Sequence, residues 1–226
     1  MPHALDNIAW FCLTGPHAAM ASGKGGARRY AKGYPPLAGF SNLEAPDFDA
    51  LAPLCSSGEV IYSEAWAGGN PRGWQVVAQR TIVTMIWDGP APAEDRAPDE
   101  ILPLTLEHAG SAVRLAAAAD FPVFGQRAIE AGEFFGIFRA DRLIAMAGER
   151  LFAMGYREIS AVCTDPEFEG RGFARRLVNV LVARELRRGE VPFLHVVADN
   201  TRAHGLYLRM GFRNQNESAI RVLVRE

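Results

Sequence analysis

One segment constrains this chain more than any other: Val162-Cys163-Thr164-Asp165-Pro166-Glu167-Phe168-Glu169-Gly170-Arg171-Gly172-Phe173-Ala174. A β-branched, apolar run ends at Thr164. A helical pattern then opens near Arg171, with Ala174, Leu177, Val178, Leu181 and Val182 at helical spacing, and runs to Arg188. Gly189 follows in the position where helices commonly stop. The turn between strand and helix holds Gly170 and Gly172, and glycine allows positive φ and close approach to a ligand. The helix N-terminus behind it supplies unpaired N–H groups and partial positive charge, which together suit a phosphate or pyrophosphate. Arg171, Arg175 and Arg176 add charge-assisted donors. Two glycines alone serve a plain strand-to-helix turn equally well.

Two other phosphate motifs are excluded. A dinucleotide fingerprint counted from Gly170 would need Gly or Ala where Arg175 stands. A P-loop ending at Gly23-Lys24 would need Ser or Thr in place of Gly25 and a glycine in place of Ala18.

Around this segment the chain reads as strand and helix in alternation. After a Pro-rich stretch from Asp88 to Asp99, strands are expected at Ile101–Leu106, Glu133–Arg139, Arg142–Phe152, Tyr156–Thr164, Phe193–Ala198 and Ala219–Val224. Helices are expected at Leu106–Ala119, Gln126–Ala131, Arg171–Arg188 and Thr201–Met210. Ala140-Asp141 and Gly155 fit tight turns. The strand–helix–strand from Glu158 to Ala198 predicts a right-handed parallel crossover. The fold class is α/β (α+β), a mixed sheet flanked by helices. Before residue 88, a short helix within Asp6–Met20 and strands at Glu59–Trp66 and Trp74–Trp87 describe a small strand-rich lobe. Gly68–Gly73 reads as a loop. The chain's 226 residues suffice for two small units, divided as 1–97 and 98–226.

Composition narrows the function. Apolar residues make up 49% and charged residues 22%, enough to bury a core without staples. A net charge of −2 argues against a nucleic-acid partner. Cys12, Cys55 and Cys163 form neither a disulfide framework nor a zinc spacing, so a reducing cytoplasm and no metal are expected. No secretory signal and no apolar run of about 18 residues is seen, so no membrane span is expected. Neither His-Glu-x-x-His nor Gly-x-Ser-x-Gly occurs.

The span from Val162 to Phe212 resembles the GNAT superfamily of acetyl-CoA-dependent acetyltransferases. Its first signature is Arg or Gln, two residues, then Gly-x-Gly or Gly-x-Ala; here Glu167 stands first, before Gly170-Arg171-Gly172. The acidic Glu167 is a departure. Asn200, Ala203, Leu206, Tyr207, Gly211 and Phe212 follow the spacing of a second signature. The order of elements from Ile101 to Val224 also matches, a little over half the chain.

The resemblance implies splayed parallel strands at a CoA cleft, with acetyl-CoA as co-substrate. It implies pantetheine contacts at Ala161, Val162, Cys163 and Thr164, and a pyrophosphate on the N–H groups of Glu169, Gly170, Arg171, Gly172, Phe173 and Ala174, near Arg175. It places Asn200 on the opposite side of the pantetheine arm and Tyr207 as general acid at the thiolate. Glu149 and Glu158, on strands bordering the cleft, are candidates for a base acting through water. The acceptor would be a small-molecule amine or a peptide N-terminus, and homodimerisation is a candidate assembly. A CoA-binding sensor without turnover is the alternative.

Other residues have plainer readings. Cys163, in an apolar run, reads as a core thiol. His195, between Leu194 and Val196, reads as a packed histidine, and His204 as a surface one. Phe121, Phe124, Phe134 and Phe135 fit either an acceptor wall or core packing.

Overall fold

A computed structural model describes residues 4–66, 68–69, 71–92, 101–121 and 123–226. The strands are β1 (Ala21–Ser22), β2 (Ala27–Tyr30), β3 (Leu37–Phe40), β4 (Val60–Glu64), β5 (Trp74–Trp87), β6 (Ile101–Pro103), β7 (Phe134–Arg139), β8 (Arg142–Ala153), β9 (Tyr156–Thr164), β10 (Val191–Val197) and β11 (Phe212–Arg225). The helices are α1 (Ile8–Thr14), α2 (Phe48–Leu51), α3 (Ala109–Ala118), α4 (Phe173–Arg187) and α5 (Thr201–Met210).

All eleven strands join one mixed sheet in the order β1-β2-β3-β4-β11-β5-β10-β9-β8-β7-β6. Among the described residues, only the β3–β4 and β9–β10 pairs are parallel. β9, α4 and β10 form the expected parallel crossover. The N-terminal segment is woven into this sheet: β5 lies between β10 and β11, and β4 pairs the other edge of β11. The expected Asp88–Asp99 connector falls largely outside the described residues, as do parts of the Gly68–Gly73 loop.

Alternation along the strands sends side chains to two faces. Leu194 and Val196 join Ile144, Ile159 and the apolar stripe of α4 on one face. Phe193, one residue before Leu194, points the other way and packs with Ile8, Cys12 and Leu13 of α1. α3 covers the neighbouring part of that second face through Ala112, Leu115 and Ala116. In α4, Leu177, Val178, Leu181 and Val182 are fully buried. Truncating one of them to Ala would cost about 2–5 kcal/mol.

Several boundaries differ from the sequence reading. α4 starts at Phe173 because Gly172, at φ 79°, takes the cap position in a left-handed conformation. Leu106–His108 is a 3-10 turn leading into α3, and Gln126–Ala131 contracts to a 3-10 turn at Ala128–Ala131. The last strand begins at Phe212, seven residues before Ala219. Its polar stretch Asn214–Glu217 pairs with β5 and carries an irregularity between Asn214 and Asn216.

Candidate active site

β9 and β10 are paired at Val191↔Tyr156, Pro192↔Arg157 and Phe193↔Glu158, and no further. β9 nevertheless continues to Thr164, and β10 to Val197. The outer edges of both are taken, β9 by β8 and β10 by β5. The strands therefore diverge into a gap with an unpaired backbone edge on the β9 side. Main-chain polar groups need partners, so this edge suits an extended ligand that carries amides of its own. Ala161, Val162, Cys163 and Thr164 all lie along it.

A bulge sits in the β8–β9 ladder, across β9 from that open edge. Met146 pairs with Cys163 and Gly148 with Ser160, so Ala147 alone faces both Ala161 and Val162. Ala161 has φ 50°, a left-handed conformation that is costly for a residue with a Cβ. The bulge also switches faces: Ile159 packs with the α4 core, whereas Ala161 and Cys163 pack with the α3 core. A bulge re-aims successive main-chain groups, here where the gap is open. The sequence carries no glycine at this point, so nothing in it signalled the kink.

The turn after β9 is built by its own residues. Asp165 accepts a hydrogen bond from the Glu167 N–H at 3.1 Å and caps the short Pro166–Phe168 turn. Gly170 and Gly172 have φ 74° and 79°, and a Cβ at either would meet nothing within 4 Å. Conformation, not crowding, is what calls for glycine there. No side chain caps α4, and its first turn holds no acid, so its N–H groups remain available to an anion. Arg171 donates to the Glu167 carbonyl at 3.3 Å and lies 5.0 Å from the Phe168 ring centroid. Glu169 pairs with Arg202 of α5, tying the turn to the opposite lip of the gap. Arg175 is exposed on the first turn of α4.

α5 supplies that opposite lip. The Asn200 carboxamide oxygen accepts from the Ala203 N–H at 3.0 Å and caps the helix, which fixes the side chain beside the gap. Tyr207 is buried, its ring centroid 5.8 Å from that of Phe212. Burial, and then the neighbouring Cys163, raise its phenol above the ordinary tyrosine value. It therefore stays protonated at neutral pH. Burial pushes the Cys163 thiol up to about 12, which suits an inert core cysteine.

The two carboxylates expected to border the cleft are differently placed. Glu149 is 1% exposed and is held by Arg157 at 3.1 Å, by Arg188 at the end of α4, and by the Glu133 N–H at 3.1 Å. It thus lies beneath the C-terminal end of α4, a helix about 22 Å long by its rise. Glu158 is also 1% exposed, with Arg150 bonded to both its oxygens at 2.8 and 2.7 Å and His195 Nδ1 at 2.9 Å. Burial opposes its charge, but Arg150 and His195 outweigh burial and hold it at about 2. A carboxylate so stabilised is a weak base; its surroundings make it an anchor for Arg150 and His195.

His195 is mostly shielded, its side chain 9% exposed, and it is hydrogen-bonded rather than merely packed. His204 Nε2 lies 2.8 Å from the Asn214 side-chain oxygen, at an exposed position. Phe124 and Phe134 stack edge to face at 5.7 Å within the α3 core, and Phe135 joins the α4 core, so these rings pack the interior. No group of three or more metal-ligating side chains occurs among the described residues, and no described helix is long and apolar enough to cross a membrane.

Residues 134–222 match the FR47-like protein family. A protein from Novosphingobium aromaticivorans DSM 12444, assigned to the GNAT family of acetyltransferases, is 33% identical over 100% of both chains, with a TM-score of 0.89. The chain belongs to the GNAT family. The GNAT fold extends to distant relatives: a GCN5-related N-acetyltransferase-like protein from Streptococcus suis 89/1591 superposes with a TM-score of 0.60 at 15% identity, over 95% of this chain and 92% of that one. The N-alpha-acetyltransferase RimI of Mycobacterium tuberculosis (strain ATCC 25618 / H37Rv) is 39% identical over 56 residues. That match spans 25% of this GNAT chain and 34% of the relative's length.

Proposed function

We propose that this GNAT protein transfers an acetyl group from acetyl-CoA to a primary amine within one ternary complex. The observation that carries this reading is the open edge of the bulged strand β9 leading directly into the uncapped N-terminus of α4. The donor set fits an acyl-CoA. The unpaired backbone of Ala161–Thr164 complements an amide-bearing arm. The N–H groups from Glu169 to Ala174, with Arg171 and Arg175, complement a pyrophosphate. Asn200 closes the arm from the α5 side.

The chain's contribution to the reaction follows. Holding thioester and amine together supplies much of the rate. A main-chain N–H near Val162 stabilises the oxyanion as the amine nitrogen bonds to the carbonyl carbon. The carbon–sulfur bond then breaks, and Tyr207 delivers its proton to the leaving thiolate. The proton released from the amine passes to water and restores the phenol. Neither Glu149 nor Glu158 is well set to take that proton directly. The strands of the N-terminal segment frame the acceptor side of the gap. All three cysteines are free thiols, which supports action in a reducing cytoplasm.

The test is calorimetry with acetyl-CoA on the wild type and on a Gly170→Glu plus Gly172→Glu variant whose fold is checked by circular dichroism. Binding in the wild type and loss in the folded variant are expected. Amine-dependent thiol release would then separate a transferase from a CoA-binding module without turnover. A folded wild type that ignores acetyl-CoA would sink the proposal.

A further inference from the structure

Between α1 and the sheet lies a cavity of about 220 Å³. It is smaller than the roughly 300–1,000 Å³ of a drug-sized site and suits a group the size of a side chain. Among the described residues that line it, Asp6, Glu64 and Glu217 are acidic and none is lysine or arginine. Glu64 is only 9% exposed, and its Oε1 has no hydrogen-bond partner. The nearest guanidinium, Arg150, is 3.6 Å away and already bonded twice to Glu158. The Asn216 side-chain oxygen is likewise buried and unpartnered, while its amide nitrogen donates to Asp6 at 3.0 Å. His195 also lines the cavity. Its Nδ1 lies 2.9 Å from Glu158, and although burial opposes its charge, the carboxylates of Glu64 and Glu158 raise its value above the ordinary imidazole one.

Two further features point to a cation. Buried Glu64 and Glu158 share the guanidinium of Arg150, which bonds both oxygens of Glu158 and only approaches Glu64, at 3.6 Å; Glu64 therefore keeps acceptor capacity towards the cavity. The cavity also adjoins the gap. His195 and Asn216 both pair with Thr84 of β5 and so share one row of the sheet. His195 lies two residues beyond Phe193, the last β10 residue paired to β9.

We propose that this cavity binds a primary ammonium group of the acceptor, and that Glu64 selects for its charge. The proposal rests on the acetyltransferase reading for the word acceptor; the ammonium site stands on its own observations. An ammonium offers three N–H donors, and Glu64 Oε1 and Asn216 Oδ1 are two buried acceptors without hydrogen bonds. A carboxylate or phosphate ligand would meet the acids Asp6, Glu64 and Glu217, against His195 alone among the basic side chains of the described lining.

The experiment is an NMR titration of isotopically labelled protein with propylammonium chloride and, separately, sodium propionate. Propylammonium is expected to shift the signals of His195, Asn216 and Asp6 saturably, and propionate is not. Glu64→Gln, checked for fold, should weaken propylammonium binding about tenfold or more while acetyl-CoA binding by calorimetry stays unchanged. Equal response to propionate, no response at the cavity, or unchanged affinity in folded Glu64→Gln would overturn the ammonium site. If acetyl-CoA binds and propylammonium does not, this inference alone fails. If propylammonium binds and acetyl-CoA does not, the acetyltransferase reading fails, and with it the acceptor role.

Discussion

Arg142, at the start of β8, reaches Glu167 in the glycine turn at 2.8 Å and is also bonded to Asp165. Glu167 stands where related turns carry Arg or Gln, so the chain holds its cation on the neighbouring strand, where two acids pair with it. Both Arg142 and Glu167 are exposed, at 55% and 69% of their side-chain surface, so solvent screens the pair. Glu167→Gln should leave stability unchanged and, with Arg142 still bonded to Asp165, remove one negative charge from the turn. Acetyl-CoA should bind about two- to fivefold tighter, with the gain fading at high salt. Calorimetry at two ionic strengths checks this; weaker binding would mean that Glu167 orders the turn.

In the proposed mechanism the hydroxyl of Tyr207 serves the chemical step. Tyr207→Phe keeps the ring that packs on Phe212 and removes only the hydroxyl. We expect kcat to fall about 100-fold with acetyl-CoA affinity unchanged. Because burial, reinforced by Cys163, raises the phenol, the proton remains in place beyond the usual tyrosine range. The wild-type pH–rate profile should therefore show no alkaline limb from this group below about pH 10. A full-rate Tyr207→Phe enzyme would remove the phenol from the mechanism.

The periodic elements were legible in the sequence because pattern and packing agree. β5 spans Trp74–Trp87 as its β-branched and aromatic run implies, and β9 spans Tyr156–Thr164. The glycine turn was legible because positive φ at Gly170 and Gly172 has a residue-level signature. What escaped notice has no local signal. The Ala161 bulge lacks a glycine, the first half of β11 is polar, and β1–β3 are short strands that the rest of the sheet recruits. The cavity at Glu64 joins residues from both ends of the chain, a relation only the sheet order creates.

Glu158 should govern the acid limb of stability. Its folded value of about 2 lies below the ordinary 4.5. Its contribution is therefore complete above about pH 4.5 and is lost as pH falls from there towards 2. Glu158→Gln leaves Arg150 buried without its main partner and should cost about 3–5 kcal/mol at pH 7. Denaturant melts at pH 7, 4 and 3 should show the mutant penalty shrinking as the wild type becomes protonated. A penalty independent of pH would assign Glu158 a packing role only.

Glu185 presents the opposite sign. It is fully buried in α4, and neither carboxylate oxygen has a hydrogen-bond partner. Burial first, and the charge of Glu149 second, raise its value well above 4.5. The folded chain thus holds a proton that the unfolded chain gives up, so this residue lowers stability as pH rises above about 4.5 towards the raised folded value. Glu185→Gln removes the titration at nearly constant volume. It should be close to neutral at pH 4.5 and stabilising by about 1–3 kcal/mol at pH 8. Denaturant midpoints for both proteins at the two pH values decide the matter. An equal effect at both would mean that Glu185 does not titrate between them, and a loss at pH 8 would mean that Arg157 and Arg188, whose charges pull its value down, keep it ionised and useful.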